Sequence, residues 1–346
     1  MKQTLPQFEN PAYTVGLIAA HPHERAAVEA MLDQKHAPPQ YIHPHDHNIY
    51  TLGAIKGSPG YHKVVVVSPP AGRYGPMTAT ATVAKLLSSF PGIKYGVTVG
   101  TGGGIPDADS GSDIRLGDVV VGRPEGAYWG VREYDIGKAR PTGPEKGSGW
   151  PYPPTALLGA VSAIRSKHEL TGSDVPKILA AMGRHNPRMG SPQPGQVKRQ
   201  GFVYPGAEND FLFDGQYEHR QGSADCRGCD PGKLVYRVKR EHHDPLIFYG
   251  TIASAKTVVN NARQRDTFKD CLCFESDAAE YMNSFPCLVV RGISDYCDSH
   301  KNNRWQMYAA ATAAAYAKEL LGIMHAGSEW IHIQQQQKEK PSCCIM

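Results

Sequence analysis

Six short runs of apolar and β-branched residues constrain this chain more than any other feature: residues 13–20 (YTVGLIAA), 63–68 (KVVVVS), 95–99 (YGVTV), 118–121 (DVVV), 249–254 (YGTIAS) and 287–293 (CLVVRGI). Apolar character without polar alternation over such short stretches predicts central strands buried on both faces. Helical periodicity falls between them at 24–34, 75–88, 154–166, 276–284 and, rich in alanine, 305–321. Strands alternating with helices predict an α/β layer architecture, a central mixed, mostly parallel twisted sheet flanked by helices. With 346 residues, 40% of them hydrophobic, the chain can bury a sizeable core.

Between about 122 and 248 the character changes: Pro, Gly and charged residues accumulate, and periodicity weakens after Ser166. Structureless loops beyond roughly 15 residues are uncommon inside compact domains. The stretch therefore reads as a long irregular insertion that covers or borders a pocket, within one α/β domain over residues 1–330. Residues 331–346 are polar and low in complexity, the pattern of a flexible tail.

The formal charge of +4 is small for the length and the basic residues are scattered, which argues against nucleic acid and for a small-molecule partner. No leader-like start precedes the first strand, and no apolar run approaches the ~20 residues of a membrane span. The expected setting is cytoplasmic, with most of the eight cysteines reduced. Cys343-Cys344-Ile345-Met346 fits the C-terminal prenylation rule, Met favouring a farnesyl group on Cys343. A single lipid gives only reversible attachment, so the expectation is transient peripheral membrane contact.

Chemistry-bearing residues cluster at strand ends. In a parallel sheet, ligands bind outside the carboxyl ends of the strands, which puts Asp295 of Gly292-Ile293-Ser294-Asp295 at a pocket rim. It can act there as an acid, as a helix N-cap or as an ion-pair partner. Gly100-Thr101-Gly102-Gly103-Gly104 follows a strand and reads either as a tight turn or as backbone that approaches a ligand closely. It lacks both the dinucleotide spacing and the P-loop lysine. Glu24 opens a helix after the first strand, where a carboxylate either takes a proton from water or complements the helix dipole. Cys226 and Cys229 form a lone CxxC in the insertion with His219 as the nearest further ligand. A local disulfide or two free thiols is the expectation, and no metal is assigned to them, to His21 and His23, or to His43, His45 and His47.

Taken in order, these segments resemble the purine nucleoside phosphorylase and methylthioadenosine nucleosidase superfamily, in the branch found widely in fungi. The resemblance covers residues 13–122 and 249–321. It implies a nucleoside-phosphorylase-type domain, a homo-oligomer and a purine nucleoside as the small-molecule partner. VGLIAAHPHERA places Glu24 where the nucleosidases carry the glutamate that activates water. Phosphorylases have a phosphate-binding arginine there and a second one where Thr98 stands, so hydrolysis is implied over phosphorolysis; Arg25 and Arg73 remain the candidates for an anion. VGTGGGIP is similar to the ribose loop, with Thr101 and Gly102 against the sugar. YGTIASAKTVV puts Val258 where a bacterial nucleosidase stacks phenylalanine on adenine, and RGISDYCDSH makes Asp295 the proton donor to purine N7, oriented by Ser294.

One departure stands out. The family shows Glu-Met-Glu where this chain has Glu275-Ser276-Asp277, so the sugar-gripping carboxylate is one methylene shorter and an apolar surface under the sugar is lost. The implied reaction is dissociative cleavage of the N-glycosidic bond, with Asp295 as acid and Glu24 as base, and it needs no metal or redox cofactor. The alternatives are a phosphate-dependent phosphorylase, and a catalytically altered nucleoside-binding module of a multidomain receptor or of secondary metabolism.

Overall fold

The computed structural model describes residues 4–72, 75–107, 111–126, 128–133, 152–190, 200–220, 225–254 and 258–326. Arg73, the tail and Cys343 lie outside them. In chain order the strands are β1 (Val15–Ile18), β2 (Gln34–Lys35), β3 (Tyr50–Lys56), β4 (Tyr61–Val67), β5 (Tyr95–Gly104), β6 (Val119–Gly122), β7 (Pro124–Glu125), β8 (Tyr128–Trp129), β9 (Val131–Glu133), β10 (Ile247–Gly250), β11 (Ile252–Ser254), β12 (Cys273–Glu275) and β13 (Cys287–Asp295). The α-helices are α1 (Pro22–Ala30), α2 (Pro76–Ser89), α3 (Thr155–Thr171), α4 (Val175–His185), α5 (Ala262–Arg265), α6 (Ala278–Ser284) and α7 (Gln306–Ile323).

The main sheet runs β10-β6-β13-β5-β1-β4-β3-β2. Its centre is parallel: β1 pairs with β4 and β5, and β13 with β5. The β13–β6 and β3–β4 pairs are antiparallel, so the sheet is mixed as expected. A second set of strands, β9, β11 and β12, joins through the antiparallel contact of β12 with the end of β5.

The valine runs follow from this placement, because alternate residues feed opposite layers. Val64, Val66, Val97, Val99, Val119 and Val121 pack with α1, α3, α4 and α7. Val65, Val67, Val120, Val289 and Ile293 pack with residues of α2 and α6. A strand with a helix layer on each side has no solvent face and so shows no polar alternation.

Helix α7 owes its alanine content to a close approach. A Cβ placed on Gly292 of β13 would lie 1.8 Å from the Ala309 carbonyl oxygen, so helix backbone sits directly on strand backbone. Gly292→Ala must push them apart, and the expected loss is about 1–3 kcal/mol or more, read as a lowered thermal midpoint. An unchanged midpoint would show that this contact is soft.

Two expectations are corrected, and one strand was missed. Gly100–Gly104 is not a turn: β5 continues through it, pairing Gly100, Thr101 and Gly102 with Arg291, Gly292 and Ile293. Within the region 122–248, the helix expected at 154–166 is α3, but the stretch after Ser166 is not irregular throughout, since α4 follows it and buries Val175 and Met182 in the same helical layer as Leu157, Val161 and Ile164 of α3. Glu319 of α7 binds the junction between them, accepting from Lys167 Nζ at 3.0 Å, Ser173 Oγ at 2.9 Å and the Asp174 N–H at 2.9 Å. Finally, β3 was not anticipated. Among the described residues no helix is long and apolar enough to cross a membrane.

Candidate functional site

Around the carboxyl ends of β1, β5 and β13, Glu24 meets Thr101 and Asp295 packs against Gly103. Glu24 is the third residue of α1, which begins right after β1, and its side chain is buried. Its Oε2 accepts from the His21 N–H at 2.9 Å, closing the helix N-terminus. Its Oε1 turns to β5 and accepts from Thr101 twice, from the N–H at 2.7 Å and from Oγ1 at 2.9 Å. Glu24 is therefore a helix cap and a member of the glycine-strand cluster at once. Arg25 points elsewhere, bonding Glu29 at 2.7 Å and Thr51 at 3.0 Å.

The glycines of β5 are explained by what lies against them. A Cβ on Gly100 would meet Arg291 Nη1 at 2.5 Å and Glu24 Oε1 at 2.8 Å; on Gly102, the Phe274 carbonyl oxygen at 2.9 Å; on Gly103, Cys297 Sγ at 2.0 Å and Asp295 Oδ1 at 2.8 Å. The strand carries glycine because charged groups and backbone crowd it, and only hydrogen fits.

Sequence reasoning missed Arg291, which stands inside the apolar run of β13. Its Nη2 donates to Glu275 Oε2 at 2.6 Å, both side chains being buried. Burial alone lowers the basicity of a guanidinium, but Glu275 and Glu24 outweigh it and hold Arg291 above its ordinary range. The signal was available, because a charge within a fully buried strand requires a partner.

Glu275 Oε2 also accepts from the Asp277 N–H at 3.0 Å and the Ala278 N–H at 2.7 Å, which satisfies the start of α6. Asp277 is buried beside it. Burial, then the charge of Glu275, raises the Asp277 carboxyl above its usual range. Ser276 Oγ donates to Asp277 Oδ2 at 3.2 Å.

Asp295 ends β13 and is 5% exposed. Its Oδ1 accepts from the Cys297 N–H at 3.0 Å; its Oδ2 accepts from Ser294 Oγ at 3.0 Å and lies 3.1 Å from Lys301 Nζ. Cys297 adopts φ 54°, a left-handed conformation rare outside glycine, and this turns the chain so that its N–H meets Asp295. Ser294, Asp295 and Lys301 line a small cleft with Asn209 and Phe211, so the insertion does reach the acid. Val258 is different: it is 60% exposed, and the three residues before it lie outside the described set.

In chemical terms, one end of the glycine strand carries a carboxylate fixed by Thr101 and the next few residues pack under a second carboxylate. Gly100 and Gly103 are separated by roughly 10 Å of strand, about 3.3 Å per residue. Two carboxylates so placed, Glu24 beside Arg291 and Asp295 beside Lys301, are groups that can give and take protons.

Comparison with known proteins agrees with the architecture. No family model matches the chain. A nucleotide-binding leucine-rich repeat (NLR)-like protein of Hyaloscypha variabilis is 37% identical over 322 residues, 92% of this chain; the chain spans 30% of that relative's length. Among solved structures, futalosine hydrolase of Helicobacter pylori aligns at TM-score 0.52 and 13% identity, covering 90% of this chain and 97% of that one. The 5'-methylthioadenosine/S-adenosylhomocysteine nucleosidase of Neisseria meningitidis, in complex with methylthio-immucillin-A, aligns at 0.52 and 15%, covering 89% and 98%. The Streptococcus pneumoniae MTA/SAH nucleosidase in complex with 8-aminoadenine gives 0.52 and 15%, covering 90% and 100%. The fold is thus that of the purine nucleosidases.

Proposed function

We propose that this chain hydrolyses the N-glycosidic bond of a purine nucleoside, with Asp295 as general acid and Glu24 as general base. The observation that carries the reading is the double hydrogen bond from Thr101 to Glu24, made on the strand whose Gly103 packs against Asp295. Asp295 gives a proton to purine N7 while the bonding pair of the breaking C–N bond passes to the base. Water then adds to the sugar carbon and yields its proton to Glu24. Asp277 and Thr101 are assigned to the sugar hydroxyls, Gly102 to backbone contact with the sugar, and Ser294 to orienting Asp295. Ser276 and Val258 border the sugar and base, and Glu275 acts through Arg291 and the α6 N-terminus. Lys301, a third exposed and 3.1 Å from Asp295 Oδ2, gives way there to the arriving base in this reading. The likeness in fold to nucleosidases supports the same reading.

The test is incubation with adenosine, guanosine, inosine and methylthioadenosine in phosphate-free buffer, with chromatography of the released base. Free base from at least one of them is expected. Turnover only with phosphate would make the chain a phosphorylase. A second reading has its own support in the NLR-like relative and in the shortened Glu275-Ser276-Asp277 segment: a nucleoside-sensing domain that binds without cleaving. Calorimetric binding of a nucleoside with no base released would establish it.

A further inference from the structure

The insertion folds its CxxC back on a histidine. Cys226 and Cys229 are both free and buried, and their sulfurs and a ring nitrogen of His219 all lie within 4.8 Å of one another. Tetrahedral zinc with bonds of about 2.0–2.3 Å sets its donor atoms roughly 3.3–3.8 Å apart, so a small contraction suffices. The tautomer of His219 is also suitable. Its Nε2 lies 3.2 Å from the Asp225 carbonyl oxygen, which can only accept, so Nε2 carries the hydrogen and Nδ1 the lone pair. An imidazole whose second nitrogen is held by a carbonyl is the usual arrangement of a metal ligand.

His300 supplies a second pointer to a ligand. It is 5% exposed and neither ring nitrogen has a hydrogen-bond partner. Its ring centroid is 5.3 Å from that of His219, and its carbonyl oxygen lies 3.7 Å from Cys226 Sγ. A metal held by the His219-Cys226-Cys229 group would take the lone pair of one of these two orphaned nitrogens, once the His300 ring moves in from just outside that 4.8 Å group.

We propose that His219, Cys226, Cys229 and His300 form a structural zinc site. Two thiolates and two imidazoles are a Cys₂His₂ set, which selects zinc over harder divalent cations. The sequence alone pointed to a disulfide or to thiols without a metal. The ion would bridge the insertion and the turn after β13, where the His219 N–H already meets Ser299 Oγ at 2.9 Å. It would thereby fix the segment that follows Asp295. Among the described residues, the segment around it has 3₁₀ turns, one isolated bridge between Phe213 and Leu234 and a core of Phe213, Cys226 and Cys229, the kind of small structure that a metal commonly stabilises.

The 346-residue chain, expressed with zinc and purified under reducing conditions, should contain about one zinc per chain by mass spectrometry of the elements. The wild-type apoprotein should take up cobalt(II) with thiolate charge-transfer and tetrahedral d–d absorption, a readout that needs no variant. Cys226→Ser/Cys229→Ser should abolish both. His300→Ala should weaken zinc at least about tenfold in chelator competition. Zinc-free protein whose apo form leaves the cobalt spectrum unchanged, or a Cys226–Cys229 disulfide under reducing conditions, would overturn the proposal. Unchanged affinity in His300→Ala would remove His300 from the set.

Discussion

Asp295→Asn is expected to keep the fold and lose about 10²- to 10⁴-fold in kcat/KM for base release, the usual contribution of a positioned general acid. Asparagine preserves the shape of the carboxylate. Its Oδ1 can still accept from the Cys297 N–H, so the left-handed turn at Cys297 remains supported. Its Nδ2 cannot accept from Ser294 or attract Lys301, but Ser294 Oγ has the Gly102 carbonyl oxygen at 3.3 Å as an alternative acceptor. Lys301 is a third exposed and can turn to water. What the substitution removes outright is the transferable proton. Rates are measured by chromatography of released base, and folding by circular dichroism and thermal midpoint. A variant within tenfold of the wild-type rate would remove Asp295 as the acid. If the chain senses nucleosides without cleaving them, no rate exists to lose, and the same variant instead reports on affinity through the lost contact with the base.

The central strands were legible because their environment leaves one composition open to them. A parallel strand between two helix layers is apolar throughout, and the runs at β1, β4, β5, β6 and β13 show it directly. The glycine strand was misread for an equally physical reason. Glycine marks turns, yet it also marks places where other atoms approach too closely for a Cβ, and sequence cannot separate the two. Strand β3 was hidden in the same way: Gly53 interrupts it, and a Cβ there would lie 2.5 Å from the Gln34 carbonyl oxygen of β2. Helix α4 was legible and overlooked. Pro176 sits in its first turn, and Val175, Ile178, Leu179 and Met182 follow helical spacing.

The acids at the strand ends could be read from position, whereas their connection could not. Arg291 links Glu275 to the neighbourhood of Glu24 across sixteen residues of sequence in one direction and most of the chain in the other. Only the register of β13 against β5, Arg291 opposite Gly100, creates that link. The approach of His300 to His219, beside Cys226 and Cys229, is hidden from sequence for the same reason, since it depends on how the insertion returns to the turn beyond β13.

That arginine also carries the largest expected effect on stability. Arg291→Met keeps much of the volume and all of the apolar stem but deletes the cation between Glu275 and Glu24. Removing one partner from a buried ion pair typically costs about 3–5 kcal/mol, because the charge left behind has neither solvent nor counterion. Here Glu275 keeps two backbone N–H donors, from Asp277 and Ala278, while its Oε1 has no partner at all. Two amides do not replace a guanidinium, so a loss near that range is expected, read from the urea midpoint of unfolding. Adding Glu275→Gln tests the cause: the amide oxygen can still cap α6, and the orphaned charge is gone. The double variant should therefore recover a large part of the loss, although both changes separately weaken the protein. If Arg291→Met unfolds within about 1 kcal/mol of wild type, the pair is no stronger than an exposed one, and the acidic cluster must draw its stability from the backbone donors instead.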